Sequence, residues 1–378
     1  MMNTPMKILL LGDYSNYSVA LGEGLKRLGH EVTVMSNGSF WLDTSRDIDI
    51  SRSPGKLGGL RLWLRLLTVL APKMRGYDAV GINSPVCVNL KPQRARYIFD
   101  RLKRNNRGLF LLGTGADTCY IEEAMDCSSE VKYNEWRLFD NLAPHALETD
   151  EWRQWLDEPL NGLCHHVYDG VDGATAALYE YHVAFRRWLP ASKVGYAGIP
   201  VDTSALLPVG MPDKIDKVKI FLGRHSKRMA EKGTDMLEAA ARAAVEKYHD
   251  KAELVIVEDK PYAEYVELLK DSHVVLDQVY SYTPATNALL AMSYGKVAVS
   301  GAEPEFYNFI GERDNRPVFN APPDYEALKQ VLCGIVERRD ELPAIGKASR
   351  EFVVKHNDVE VVASRVAAFW KSKLIDKK

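Results

Sequence analysis

Short runs of apolar residues alternate with longer helix-like stretches along this chain, and the alternation occurs in two series. In the first series the runs are KILLLGD, EVTVMSN, AVGINS, GLFLLGTG, HHVYDG and VGYAGIP, at residues 7–13, 31–37, 79–84, 108–115, 165–170 and 194–200. Continuous Val, Ile and Leu runs bounded by Gly and Asp are typical of parallel strands buried on both faces. Strands separated by helical stretches predict βαβ units with right-handed crossovers.

The second series begins after a stretch with three prolines, IPVDTSALLPVGMPDKIDK, which we interpret as a linker over residues 200–217. Its strand-like runs are KVKIFLG, ELVIVED, HVVLDQV and KVAVSG, at residues 217–223, 253–259, 273–279 and 296–301. Helices are predicted over residues 234–248 and 359–373. The chain is therefore expected to be an α/β protein with two Rossmann-like domains, with ligands in a cleft at the carboxyl ends of the strands.

The overall composition excludes several classes of protein. The chain has 378 residues, of which 46% are hydrophobic and 26% charged, and its net charge is −2, so no global field attracts nucleic acid. Five scattered cysteines without a CxxC pair predict reduced thiols in a cytoplasmic protein. The first apolar run is too short for a signal peptide, and no run approaches the roughly 20 residues of a membrane span.

The loop after the run at 217–223 is the part of the second series with the clearest chemistry. It has four basic side chains before a long helix: Arg224, Lys227, Arg228 and Lys232. Gly233 then opens that helix, with Thr234 as a possible cap. Fixed cations at such a strand-to-helix loop stabilise the charge that builds on a leaving nucleoside diphosphate. The alternative interpretation is a solvated basic loop.

The loop after the first strand, GDYSNYS, lacks the full GxGxxG fingerprint, so we predict no dinucleotide cofactor. Small and hydroxyl residues at a helix N-terminus would still offer backbone N–H groups to anions or sugar hydroxyls. Gly12 and Ser15 are therefore candidate donor-binding residues. The alternative is a plain turn in which Ser15 or Ser18 caps the helix.

No metal site is expected. Asp47 and Asp49 form a DxD string, but this string lies in a loop after the second strand, away from any phosphate motif. His165 and His166 fall in a predicted strand, where neighbouring side chains point to opposite faces and cannot grip one ion together.

Residues 52–75 combine basic and apolar character around GGLRLWLRLLTVLA. The predicted helix Gly59 to Leu70 is apolar nearly all round, with Arg61, Arg65 and Thr68 on one narrow stripe. Such a helix fits the surface of an anionic membrane. The alternative is an ordinary crossover helix packed on the first sheet.

Several stretches resemble retaining GT-B glycosyltransferases of the group 1, family 4-like type. Arg228 followed by Lys232-Gly233-Thr234-Asp235 resembles the donor-phosphate motif of that family. ELVIVEDKPYAEYVELL resembles its strand and loop near the donor base, and DSHVVLDQVYSYTPATNALLAMSYGKVAVSG resembles the block that follows. IPVDT resembles the interdomain linker, and EFVVKHNDVEVVASRVAAFW resembles the C-terminal helix that returns to the first domain.

The resemblance implies a GT-B fold, with residues 1–200 and the returning segment 357–378 in one domain and 201–356 in the nucleotide-sugar domain. It implies a metal-independent, retaining hexosyltransferase that uses a nucleoside-diphosphate sugar, commonly in bacterial surface polysaccharide assembly. The acceptor would be a glycan or a lipid-linked sugar, and membrane contact would fit the latter.

The resemblance also implies roles for particular residues. Arg228 and Lys232 would hold the diphosphate, with Arg224 or Lys227 in support and Gly233 beside them. Pro261 and Tyr262 would border the base. GTGADTCYIEEA resembles the loop that faces the donor sugar, which makes Asp117 the candidate polar group on the acceptor side. The alternative for Asp117 is a helix cap.

One departure from the family pattern concerns its two glutamates, which contact the donor sugar and ribose. Their positions are occupied here by Tyr282 and Leu290, neither of which accepts hydrogen bonds as a carboxylate does. Thr286 and Asn287 are candidate substitutes at the donor sugar. Two other functions stay open: a degenerate protein that binds a sugar nucleotide or glycan without transfer, and a GT-B enzyme of other chemistry such as an epimerase.

Overall fold

The computed structural model describes residues 4–39, 43–226 and 228–375. The strands are β1 (Lys7–Leu11), β2 (Glu31–Ser36), β3 (Ile48–Asp49), β4 (Ala79–Ile82), β5 (Gly108–Gly113), β6 (Arg137–Leu138), β7 (Asn141–Leu142), β8 (Gly173–Ala176), β9 (Val194–Tyr196), β10 (Val218–Arg224), β11 (Ala252–Glu258), β12 (Val274–Leu276), β13 (Val297–Ser300) and β14 (Phe319–Asn320).

The helices are α1 (Tyr17–Arg27), α2 (Gly55–Leu67), α3 (Pro92–Asn105), α4 (Thr118–Met125), α5 (Pro144–Glu148), α6 (Arg153–Leu156), α7 (Leu160–Gly170), α8 (Tyr179–Trp188), α9 (Met229–Lys232), α10 (Thr234–Lys247), α11 (Tyr262–Lys270), α12 (Thr286–Ser293), α13 (Pro304–Phe309), α14 (Tyr325–Glu337), α15 (Leu342–His356) and α16 (Val359–Ile375). Among the described residues, none of these helices has both the length and the apolar character needed to cross a bilayer.

The first sheet has seven strands in the order β3-β2-β1-β4-β5-β8-β9, and every pairing is parallel. Its central strands β1, β4 and β5 are buried on both faces, as their continuous apolar sequence predicts. The chain runs outward from β1 to β3 and then returns to the other side of β1 at β4. The order of strands therefore reverses between β1 and β4, which is where such sheets bind ligands.

The second sheet has five parallel strands in the order β11-β10-β12-β13-β14. Its reversal lies between β10 and β12. The core beside it combines aliphatic residues of β10, β12 and β13 with the alanine-rich face of α10 and with α14. The expected α/β class with two Rossmann-like sheets is confirmed.

The residues divide into two compact units that differ from the predicted domains in segment 124–150 and by two residues at the start of the returning segment. The first unit contains residues 1–123, 151–200 and 359–378, and the second contains 124–150 and 201–358. The prediction placed 124–150 in the first domain. This segment belongs to the second unit because it bonds to loops that follow strands of the second sheet, through the backbone N–H of Lys132 and the hydroxyl of Tyr133.

The predicted strand at 165–170 is wrong, since these residues end the helix α7. The buried residues of α7 are Leu163, Cys164, Val167 and Tyr168, which recur with helical spacing. The strand follows instead at β8, whose sequence GATA has too few large apolar residues to be recognised. Gly173 is needed there, because a Cβ atom would lie 2.8 Å from the ring of Phe369.

Helix α16 belongs to the first unit, as the resemblance implies. It packs against α1, where a Cβ on Gly24 would lie 2.1 Å from the carbonyl oxygen of Val359. The buried ring of Trp370 stacks on Phe110 of β5, with 5.0 Å between ring centroids. The last helix of the chain therefore completes the core of the first sheet.

Candidate functional site

A cavity of about 160 Å³ lies at the carboxyl ends of β1, β2 and β4, where the strand order of the first sheet reverses. Three amide side chains, one aromatic side chain and one carboxylate are among its lining residues, which are Gly12, Asp13, Tyr14, Asn37, Ile50, Asn83, Val86, Cys87 and Asn89. Paired donor and acceptor groups of this kind suit sugar hydroxyls. Sequence reasoning found Gly12 and missed the asparagines, although Asn37 and Asn83 each lie at the carboxyl end of a predicted strand.

Gly12 permits the close packing of this cavity. Its φ of +86° lies in the left-handed region, and a Cβ atom would be 1.9 Å from Oδ1 of Asn83. The buried Asp13 accepts hydrogen bonds from the backbone N–H of Ser18 at 2.8 Å and from the Thr44 hydroxyl at 2.7 Å. Burial raises the pKa of Asp13 above its ordinary value, and these hydrogen bonds oppose the shift.

The structure places Ser15 differently from the prediction. It has a φ of +49°, and its backbone N–H donates to the Ser39 hydroxyl at 2.9 Å. Neither Ser15 nor Ser18 caps α1, because Asn16 holds the cap position and Asp13 accepts the Ser18 N–H. A donor-binding role for Ser15 would require that its hydroxyl, rather than this backbone group, meet the ligand.

Asp117 has the contacts of a helix cap. One carboxylate oxygen accepts the backbone N–H of Tyr120 at 2.9 Å, and the other accepts the Tyr168 hydroxyl at 2.7 Å. The residue is 3% exposed, and burial raises its pKa to about 6. These contacts correct the expectation of an acceptor-facing group, since both oxygens are engaged inside the first unit.

The DxD aspartates and the neighbouring histidines also have structural contacts. Asp47 accepts the backbone N–H of Val34, whereas Asp49, in β3, accepts the hydroxyl of Ser51. His166 bonds Asp100 at 2.6 Å, and His165 stacks on Trp188. In the part of the chain that the structure describes, no three His, Cys, Asp or Glu side chains are grouped to hold a metal ion.

In the second unit, Lys232 lies where the strand order reverses. Its Nζ is 3.5 Å from Oδ1 of Asp277, which follows β12 and is fully buried. The other oxygen of Asp277 accepts the Ser300 hydroxyl at 2.9 Å, at the end of β13. The Lys232 side chain is 29% exposed, so it is partly accessible as well as paired with Asp277.

Gly233 connects Lys232 to the start of α10. Its φ of +67° is left-handed, and a Cβ atom would lie 3.0 Å from Cβ of Val279. Gly233 holds the cap position of α10, and Thr234 is the first helical residue rather than the cap. This 14-residue helix therefore begins two residues after Lys232, and the backbone N–H groups of its first turn attract anions.

The other basic residues of this loop have carboxylate partners. Arg224 bonds Glu258 at 2.6 Å and also pairs with Glu238. Arg228 bonds Glu231 at 2.7 Å, but half of its side chain is exposed. Lys227 lies outside the described residues. The charge of Arg224, which was predicted to support the diphosphate site, is therefore balanced by two glutamates.

The remaining donor-site candidates begin two helices. Pro261 caps α11, and Tyr262, the first residue of that helix, is 54% exposed. Thr286 and Asn287 open α12, and Oδ1 of Asn287 accepts the Tyr265 hydroxyl at 2.6 Å. This bond from α11 fixes the amide of Asn287.

The two positions without glutamates are part of the protein interior. Tyr282 is 4% exposed, and its hydroxyl accepts the backbone N–H of Lys132 at 2.9 Å. Leu290 packs into an apolar cluster with Phe221 of β10. Position 282 thus anchors segment 124–150 to the second unit.

Glu303 is a carboxylate that sequence reasoning missed. It follows β13, and its backbone N–H donates to the carbonyl of Tyr282 at 3.2 Å. Its Oε1 accepts the amide of Asn320 at 2.7 Å and the hydroxyl of Tyr133. The sequence alone does not reveal Glu303 as a site residue, because only the pairing of β12 with β13 brings it beside Tyr282.

Comparisons with solved structures identify the fold. HepE from Anabaena, in complex with UDP-glucose, matches 97% of this chain and all of its own, with a TM-score of 0.61 at 13% identity. Sucrose-phosphate synthase from Thermosynechococcus elongatus matches 98% and 100% of the two chains, with a TM-score of 0.64 at 15% identity. A glycosyltransferase from Rickettsia africae matches with a TM-score of 0.56 at 14% identity, over 98% of this chain and 99% of its own.

These similarities, with the two parallel sheets and the returning helix α16, define a GT-B fold. No family model and no curated protein matches the sequence. The fold is therefore shared with glycosyltransferases of very different sequence.

Proposed function

We propose that the protein transfers a sugar from a nucleoside-diphosphate sugar to a glycan or lipid-linked acceptor. The observation that carries the proposal is the position of Lys232, a partly exposed cation paired with Asp277 two residues before the start of α10. A diphosphate at this point would meet an ammonium group and backbone N–H groups together. HepE, whose structure contains UDP-glucose, shares the fold and suggests the class of donor.

The chemistry follows from where charge develops. When the bond between the sugar and the diphosphate breaks, negative charge grows on the leaving phosphate. Lys232 and the α10 N-terminus stabilise that charge without reorganising, and Arg228 adds a second cation by exchanging Glu231 for the phosphate. Retention of configuration, independence from metal ions and a role in surface polysaccharide assembly are proposed on the sequence resemblance.

Glu303 is proposed to take the place of the missing family carboxylate at the donor sugar. Tyr133 and Asn320 hold one of its oxygens, which orients the carboxylate at the same edge of the sheet as Asp277. The cavity lined by Gly12 and the asparagines is proposed as the acceptor side.

A second candidate function is binding of a sugar nucleotide without transfer, which the absence of a carboxylate at positions 282 and 290 favours. The two are separated by measuring release of nucleoside diphosphate from a panel of UDP-, GDP- and ADP-sugars, each offered together with glycan acceptors. Transfer predicts release that falls by about 10²–10³ in Lys232→Ala and is unchanged in Lys347→Ala, an exposed lysine of the same unit. Binding without release from any donor would favour the second function.

A further inference from the structure

The first unit has a surface that is both basic and apolar. Between residues 51 and 77 the sequence has six Lys and Arg residues and no Asp or Glu. Extending the count to residue 107 gives thirteen basic and two acidic residues, in a chain whose net charge is −2. The positive charge of the protein is therefore concentrated on the part of the chain that contains α2 and α3.

Helix α2 exposes large apolar side chains on one face. It begins earlier than predicted, at Gly55 rather than Gly59, and its inner face buries Leu62 and Leu66. Leucines spaced by three and four residues lie on the opposite face and are 72%, 42% and 52% exposed: Leu57, Leu60 and Leu64. The two leucine sets show that α2 is a crossover helix on its inner side and uncovered on its outer side.

Helix α3 extends the same surface. The ring of Tyr97 is 45% exposed and meets the Trp63 ring edge-on, with 5.3 Å between centroids. The guanidinium of Arg94 lies over the ring of Trp63, 5.5 Å from its centroid. Exposed basic residues flank the apolar side chains on both helices: Lys56, Arg61, Arg96, Lys103 and Arg104.

We propose that α2 and α3 dock on an anionic lipid membrane. Apolar side chains would enter the boundary between headgroups and acyl chains, while the flanking cations would meet anionic headgroups. Positive charge concentrated around an exposed leucine stripe favours an anionic membrane over two other occupants. A protein partner would need an acidic surface of its own that matches these cations. A neutral membrane would offer the cations no anionic headgroups.

The cavity of the first unit is close to this surface, and this suggests what membrane docking would serve. That inference rests on the proposed function. Arg52, just before α2, donates to the carbonyl of Asn89, a residue that lines the cavity. Arg65 of α2 donates to the carbonyl of Asp49 at 3.0 Å, next to the lining residue Ile50. The membrane-docking helix therefore forms part of the cavity's support. A sugar carried on a lipid would reach the cavity while its lipid stays in the membrane.

Cosedimentation with vesicles tests the docking surface independently of turnover. The wild-type protein is expected to bind vesicles of phosphatidylcholine with phosphatidylglycerol in equal amounts, and not vesicles of phosphatidylcholine alone. Lys56→Ala with Arg61→Ala should weaken binding by about 25-fold, because each basic residue contributes roughly fivefold at an anionic surface. Added salt should weaken binding of the wild-type protein as well.

A matched pair of double variants tests the apolar part. Leu57→Gln with Leu64→Gln should lower vesicle binding at least about tenfold. Leu147→Gln with Leu207→Gln, where the leucines are 71% and 68% exposed in the second unit, should leave it unchanged. A melting-point shift with nucleoside diphosphate, retained in all variants, shows that they fold and that the donor site is intact.

The proposal would be overturned if the two leucine double variants lost vesicle binding equally. It would also be overturned if the wild-type protein bound both kinds of vesicle equally, or bound neither. Binding to duplex DNA in place of vesicles would likewise assign the surface to nucleic acid and overturn it. Lys232→Ala should lose the melting-point shift with nucleoside diphosphate while its vesicle binding stays unchanged. The docking surface and the proposed function can therefore fail separately.

Discussion

The hydroxyl of Tyr282 accepts a hydrogen bond from the backbone N–H of Lys132, 150 residues away in the sequence, at 2.9 Å. The ring of Tyr282 also lies 4.9 Å from that of Tyr133, centroid to centroid. A position where the resembling family has a donor-binding glutamate is therefore used here to hold segment 124–150 on the second unit. Tyr282 leaves no empty space at this position, because its side chain joins two parts of the second unit.

Tyr282→Phe should lower the free energy of unfolding by about 1 kcal/mol, because the part-buried N–H of Lys132 would lose its acceptor. Tyr325→Phe, at a tyrosine that is 38% exposed, is the control and should change it by less than about 0.5 kcal/mol. Urea denaturation measures both. Equal stability of the two variants would mean that the bond to Lys132 does not anchor the segment.

Glu303→Gln should separate binding from transfer. The amide keeps an oxygen that accepts from Tyr133 and Asn320, so the loop after β13 should stay folded and nucleoside diphosphate should still bind. The rate of sugar transfer should fall by on the order of 10²-fold or more, because a neutral amide cannot stabilise positive charge on the donor sugar. An unchanged kcat would show that Glu303 is a structural residue only.

Gly12→Ala should be more destabilising than Gly29→Ala. Both glycines have nearly the same left-handed φ, +86° and +85°, so each substitution carries the same backbone strain of about 1–2 kcal/mol. Only at Gly12 would the new Cβ overlap Asn83, whereas nothing lies within 4 Å at Gly29. The difference in unfolding free energy, expected to be about 1–3 kcal/mol, measures that overlap.

Asp117 should make stability depend on pH. Because its pKa is raised by burial from the ordinary 3.8 to about 6, the folded protein holds a proton that the unfolded chain releases. The wild-type protein should therefore lose stability relative to Asp117→Asn as the pH rises from about 4 to about 6, and the difference should then level off. Unfolding free energies of both proteins across this range measure the effect, and a wild-type protein that gained stability relative to Asp117→Asn as the pH rose would contradict it.

The sequence was sufficient to predict the strands that are long and apolar, such as β1, β5 and β10, because burial on both faces leaves a continuous apolar run. It was not sufficient for β8, where small residues make room for Phe369 of α16. The helix α7 was misassigned because its short VYDG end reads equally as a strand, and the helical spacing becomes clear only when Leu163 and Cys164 are included.

The candidate site was predictable only where its chemistry is local. Lys232 and Gly233 were found because they lie together in a strand-to-helix loop. The pairing of Arg224 with Glu238 and Glu258 was missed, since those glutamates lie on α10 and β11 and meet the arginine only after folding. Segment 124–150 was assigned to the other domain for the same reason, because its contacts with Tyr282 and Glu303 join residues more than a hundred positions apart.

Thermal unfolding with nucleoside diphosphates tests the central claim that Lys232 marks a diphosphate site in the second unit. UDP, GDP and ADP would each be added at increasing concentration to the wild-type protein, Lys232→Ala and Lys347→Ala. One of them should stabilise the wild-type and Lys347→Ala proteins, by about 2.7 kcal/mol at 100 times Kd. In Lys232→Ala the Kd should be about 10- to 150-fold weaker, as the loss of a charged hydrogen bond predicts. No stabilisation by any of them, or equal stabilisation of Lys232→Ala, would contradict the account.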